Sequence, residues 1–129
     1  IRVKIVERDE ERCEELNEMV PKAMIICGDA TDKDLLIEEG LLETEAFVAT
    51  TNFDEENIML ALFAKSLSSA KLITKVHRIS YDDIIDQLDV GSIIYPKFIS
   101  SSTGFACGQA SLIAMRAAWR NAMSEESTV

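Results

Sequence analysis

Gly28-Asp29-Ala30-Thr31-Asp32 is the stretch that decides the fold. It closes a short apolar run, Ala23-Met24-Ile25-Ile26-Cys27, and opens a segment with helical spacing. An earlier apolar run, Val3-Lys4-Ile5-Val6, closes on a second acid, Glu7. Two acidic strand ends, about twenty residues apart in a strand–helix–strand rhythm, suit a nucleoside-binding α/β sheet. Ligands of open parallel sheets bind beyond the carboxyl ends of the strands. No glycine-rich turn comes before Glu7.

The pattern continues outward from these two strand ends. Residues 2–7 read as a strand, and Asp9 opens a helix in which Cys13, Leu16, Met19 and Val20 share a face. Acids crowd its first turn, where the helix dipole favours them, and Pro21 ends it. Residues 23–27 hold no polar side chain, which predicts a strand covered on both faces. Thr31 is the expected cap of a helix running through Glu39 and stopped by Gly40. Ala46-Phe47-Val48-Ala49-Thr50 predicts a third strand, and Asp54-Glu55-Glu56 opens a broadly apolar helix to about Ser68. A fourth strand at 72–76, a short helix from Tyr81 to Leu88 and a last strand at 92–95 follow, ended by Pro96. A long helix is expected from Ser101 or Ser102 to about Met123. Strict alternation of this kind predicts an α/β fold, with a parallel sheet and helices on both faces.

The chain has 129 residues, 47% hydrophobic and 28% charged, which is the composition of one soluble globular domain. That length buries roughly two-thirds of the unfolded surface. A formal net charge of −10, with Lys and Arg scattered, argues against nucleic acid as a partner. No apolar run is long enough to span a membrane. Cys13, Cys27 and Cys107 are far apart, odd in number and without zinc or redox spacing. They read as buried small hydrophobes in a reducing compartment. The start Ile1-Arg2-Val3-Lys4 has no signal-peptide character, and its lack of Met predicts that the true beginning lies upstream.

Each candidate site residue carries two readings. Glu7 can accept both hydroxyls of an adenosine ribose, or be a solvated acid or a helix-capping group shared with Asp9. Asp29 can accept a hydrogen bond from an amine, while Ala30 and Thr31 let backbone amides approach a purine edge. The same residues could simply cap the following helix. Thr51 and Asn52, with Thr50, end the third strand facing the same crevice, or form an ordinary polar loop. His77 is the single histidine, and no Ser, Cys or acid is tied to it by motif. No paired-carboxylate, triad or metal signature is present, so no catalytic or metal residue is assigned. In the last helix Phe105, Gly108, Leu112, Met115, Trp119 and Ala122 form a heptad-like seam, with Arg116 and Arg120 outside it. That helix could pack on its own sheet, or swing about Ser100-Ser101-Ser102 onto a partner.

Taken together, the chain resembles the nucleotide-binding domain of the TrkA family, also called the RCK or KTN domain. The residues that carry the resemblance are Val3 to Asp9, Gly28 to Asp32, Leu35-Leu36, Glu39-Gly40, Ala46 to Asn52, Asp54 to Ile58 and Ala64-Lys65. Together they span roughly residues 1–97. The resemblance implies a Rossmann-like domain that binds NAD(H) or adenine nucleotides such as ATP or ADP. It implies a cytoplasmic regulatory subunit, not an enzyme, peripheral to the plasma membrane through a potassium transporter that it gates. By the resemblance Glu7 falls on the ribose-holding acid, Asp29, Ala30 and Thr31 on the adenine-side loop, and Thr51 and Asn52 on the nucleotide-facing loop. It also implies a homo-oligomer, a dimer or higher, joined by a crossover helix within residues 98–123. The polar composition of residues 124–129 by itself predicts a frayed, disordered tail or a linker.

The family's first strand and Gly-rich turn are missing here, and they hold the pyrophosphate on a helix N-terminus. That strand would lie between those at 2–7 and 46–50, in the order 3-2-1-4-5-6. Its loss leaves two open edges. The two strands are expected to close on each other, to borrow an element from another chain, or to be shielded in an oligomer. Nucleotide binding by this chain is expected to be weak or lost. Two other readings compete: a fragment of a nicotinamide-dependent dehydrogenase, which needs a proton-transfer residue, and a receiver-like signalling domain, which needs clustered acids and a phosphorylatable Asp.

Overall fold

Alternation of apolar runs with amphipathic segments becomes five short parallel strands joined by helices in the computed structural model, which describes residues 2–78, 80 and 82–96. The strands are β1 (Val3–Glu7), β2 (Ala23–Cys27), β3 (Ala46–Ala49), β4 (Lys71–Lys75) and β5 (Ser92–Ile94). The α-helices are α1 (Glu10–Met19), α2 (Lys33–Glu38), α3 (Asp54–Leu67) and α4 (Asp82–Leu88), and a 3-10 turn covers Leu41–Glu43. The expected crossover helix at 98–123 with its seam, the tail at 124–129 and Cys107 lie outside the described residues.

The sheet is split. Among the described residues β1 pairs only with β2, in register Glu7 to Cys27, and β3 pairs with β4, which pairs with β5. Every ladder is parallel. Of the three expected outcomes at the open edges, closure of the 2–7 strand on the 46–50 strand does not occur: β1 and β3 exchange no ladder hydrogen bonds. Side chains join the halves instead. Val6 of β1 shares one core with Phe47 and Ala49 of β3, Leu36 of α2, and Leu60 and Ala64 of α3. A second core gathers Ala61, Val76, Ile85 and Val90 around α3, α4 and β5.

Two local expectations are corrected. β2 is not covered on both faces: Met24 is 57% exposed and Cys27 is exposed as well. β2 lies at the outer edge of its pair, so α1 shields it only in part. Cys27 is therefore not the buried small hydrophobe expected, whereas Cys13 is. Nor does Thr31 cap α2. Asp32 does, accepting the backbone N–H groups of Asp34 and Leu35. Gly40 ends that segment in the left-handed conformation at φ 101°, as its place after the helix demands. Gly91 has φ +80°, and a Cβ there would come within 2.1 Å of the Leu72 carbonyl oxygen, so the turn into β5 needs glycine.

No helix among the described residues is long and apolar enough to cross a membrane.

Candidate functional site

Glu7 is the last residue of β1 and only 4% exposed. A buried carboxylate is costly unless its oxygens are hydrogen-bonded. Its Oε1 accepts the Asp9 backbone N–H at 2.9 Å. Its Oε2 is buried and has no hydrogen-bond partner among the described residues. Asp9, not Glu7, caps α1, accepting the Arg12 backbone N–H at 3.1 Å. Glu7 thus braces the cap and keeps one oxygen uncommitted.

The β2 end is closed by a tight turn. Gly28 donates its N–H to the Glu7 carbonyl at 2.9 Å, tying the two strand ends together. A Cβ on Gly28 would meet Leu35 Cδ2 at 2.7 Å, so the close approach of the loop to α2 favours glycine. Asp29 Oδ1 accepts both the Thr31 backbone N–H, at 2.8 Å, and the Thr31 hydroxyl, at 2.7 Å. These bonds, the backbone one foremost, hold the Asp29 carboxyl below the ordinary aspartate value, and the positive charge of Arg8 adds to them. Asp29 is therefore a fixed anion within a self-contained turn.

The third strand end is held by two buried polar side chains on α3. Asn57 is fully buried. Its Oδ1 accepts the Thr51 N–H at 2.7 Å, while its Nδ2 donates to the carbonyls of Thr51 at 3.1 Å and Lys75 at 2.9 Å. One amide thus fixes the β3–α3 loop to the end of β4. Asp54, one turn earlier, accepts the backbone N–H groups of His77 at 2.9 Å and Arg78 at 3.0 Å, and His77 Nδ1 lies 3.0 Å from the same carboxylate. Burial pushes the Asp54 carboxyl up, but these hydrogen bonds outweigh it and leave it below the ordinary value. His77, read from sequence as having no acid tied to it, is in fact paired with Asp54.

The three strand ends meet in one crevice. Glu7, Asp29, Ala30, Thr51 and Asn52 all line it, joined by Arg8, Phe53 and Glu56. Thr31 falls just outside, in an adjoining groove that shares Ala30 and Glu56 and runs along Met59 and Phe63 of α3. The crevice encloses about 50 Å3, room for a few atoms, whereas the adjoining groove encloses about 410 Å3. Three carboxylates and one guanidinium face the crevice. That charge repels phosphate and attracts hydroxyl and amine donors. The Phe53 ring, 59% exposed at the lip, offers an aromatic face. His77 does not line this crevice.

The TrkA-N domain family matches residues 1–96. The chain belongs to this family. Among curated relatives, the Trk system potassium uptake protein TrkA of Vibrio alginolyticus is 40% identical over 83 residues, covering 64% of this chain and 18% of its own length. The protein of the same name from Haemophilus influenzae is 36% identical over 100 residues, covering 78% of this chain and 22% of its own. A TrkA homolog from Archaeoglobus fulgidus is 35% identical over 98 residues, covering 76% and 22%. The chain thus spans about a fifth of the length of the curated relatives it matches. With the parallel ladders, family membership makes this a Rossmann-like α/β domain.

Sequence reasoning passed over Arg8, Phe53 and Glu56 in the crevice wall, and Asp54 and Asn57 beneath it. Asn57 did leave a trace. It falls in helical register with Leu60, Ala61 and Ala64, the buried stripe of α3. An amide on an otherwise apolar stripe marks a buried polar contact. Arg8 and Phe53 left none, because only the meeting of three strand ends brings them to one place.

Proposed function

We propose that this chain is the nucleotide-sensing part of a potassium-uptake regulator, and that it grips the adenosine portion of NAD(H) or of an adenine nucleotide at the ends of β1, β2 and β3. The observation that carries the reading is the uncommitted, buried Oε2 of Glu7 beneath a crevice lined by Asp29, Ala30, Thr51 and Asn52. Glu7 accepts the ribose hydroxyls. The loop of Asp29, Ala30 and Thr31 meets the adenine edge, with the base against Phe53. Thr51 and Asn52 close the side nearest the rest of the nucleotide.

The potassium link comes from the relatives, each named a Trk system potassium uptake protein. In this reading the chain works in a homo-oligomer at the cytoplasmic face of the membrane and reports nucleotide occupancy to a transporter without turning the nucleotide over. Arg8 is the one cation among the residues lining the crevice, so phosphates add little affinity. Binding to the 129-residue chain is weak, about millimolar, or roughly 4 kcal/mol.

Competition between ligand halves tests this. Adenosine and ADP-ribose are expected to displace a fluorescent adenine nucleotide from the chain, and nicotinamide mononucleotide is not. Displacement by the nicotinamide half, or a substrate-dependent change in nicotinamide absorbance, would replace this reading with the dehydrogenase one.

A further inference from the structure

Cys13 and Cys27 are fourteen positions apart in sequence, yet the fold brings both to Glu7 at the end of β1. Cys27 ends β2 opposite Glu7 in the β1–β2 register. Cys13, in the first turns of α1, donates its thiol hydrogen to the Glu7 carbonyl at 3.3 Å, which brings its sulfur to the rung of the β1–β2 ladder that Cys27 occupies. Both are free thiols, Cys13 only 6% exposed and Cys27 open to solvent. We propose that Cys13 and Cys27 form a reversible dithiol–disulfide site, with Cys27 as the attacking thiol and Cys13 as the resolving one, responsive to low-molecular-weight disulfides of the oxidised-glutathione class.

The chemistry balances in two exchanges. The Cys27 thiolate attacks one sulfur of the small disulfide, forming a protein mixed disulfide and expelling a small thiolate that takes up a proton. Cys13 then loses its proton to solvent and attacks the Cys27 sulfur. The protein disulfide forms as a second small thiol leaves, so two protein thiols are oxidised and one small disulfide is reduced to two thiols. The roles follow from access. Cys27 meets the reagent in solvent, whereas burial, then the neighbouring Cys27, pushes the Cys13 thiol up to about 12. Closure costs the structure little hydrogen bonding, because the Glu7 carbonyl still accepts the Gly28 N–H at 2.9 Å.

Mass spectrometry of the 129-residue chain after incubation with oxidised glutathione tests the site. Trypsin cuts after Arg12, Lys22 and Lys33, so the two cysteines fall in neighbouring peptides, 13–22 and 23–33. The expected product is those peptides joined by a bond that dithiothreitol breaks, with Cys107 still available to alkylation. Cys13→Ser is expected to stop at one glutathione on Cys27, and Cys27→Ser to leave Cys13 unmodified in folded protein. A wild-type chain that stops at glutathionylated Cys27, or that links either cysteine to Cys107, would overturn the proposal.

Discussion

Replacing Asn57 with Ala removes the amide that bolts the β3–α3 loop to the end of β4. Three hydrogen bonds go at once: the Thr51 N–H at 2.7 Å, the Thr51 carbonyl at 3.1 Å and the Lys75 carbonyl at 2.9 Å. Thr51 is itself only 6% exposed, so water does not readily replace the lost acceptor. An orphaned buried N–H costs about 1–3 kcal/mol, and each lost carbonyl bond about 0.5–1.5 kcal/mol. The expected loss is about 4 kcal/mol, a large share of a total stability on the order of 5–15 kcal/mol. With a urea slope of about 2 kcal/mol/M, the midpoint falls by about 2 M at unchanged slope. Asn57→Asp is expected to be no milder, because a carboxylate keeps the acceptor for Thr51 N–H but turns an anion toward two carbonyls. Urea titration followed by far-UV circular dichroism reads both variants. A midpoint shift below about 0.5 M for Asn57→Ala would refute the reasoning, since it would mean that the loop is held by something else.

Three further outcomes follow from the same geometry. Gly91→Ala places a Cβ about 2.1 Å from the Leu72 carbonyl oxygen at a φ of +80°, so the β4–β5 pairing must shift, and thermal melting should show a loss of several kcal/mol. Gly28→Ala meets only the flexible end of Leu35 at 2.7 Å, so its melting temperature should fall much less. Asp54 and Asp29 have depressed native carboxyl values, so the unfolded chain binds protons more readily and their stabilising share is complete above the unfolded value near pH 4. That share is lost as pH falls below about 4, and Asp54→Asn should flatten the decline of melting temperature between pH 5 and 3; equal slopes in wild type and variant would contradict it.

Much of the fold was legible because two periodicities never overlapped. Val3 to Glu7 and Ala46 to Ala49 are apolar runs too short for helices, while Cys13 with Leu16 and Leu60 with Ala64 keep helical spacing. The crevice was legible in part for the same reason. In a parallel sheet each strand's carboxyl end faces the same way, so Glu7, Asp29 and Thr51 had to come near one another once their strands were assigned. What sequence could not reach was lateral. Whether β2 sat inside or at an edge decided the exposure of Met24 and Cys27, and apolar composition alone does not encode that place. The choice of Asp32 over Thr31 as cap turned on Asp29, which takes the Thr31 hydroxyl for its own turn. The pairing of His77 with Asp54 and the approach of both Cys13 and Cys27 to Glu7 join different elements, and no local spacing announces them.

The central claim is that Glu7 receives a nucleoside at the ends of the parallel strands. Amide-resolved nuclear magnetic resonance of the chain titrated with adenosine tests it most directly. Saturable shifts at Glu7, Asp29, Ala30, Thr31, Thr51 and Asn52, with an affinity of about 1 mM that Glu7→Gln abolishes while the fold persists, are the predicted result. Shifts that cluster elsewhere, or that survive Glu7→Gln undiminished, would contradict the account.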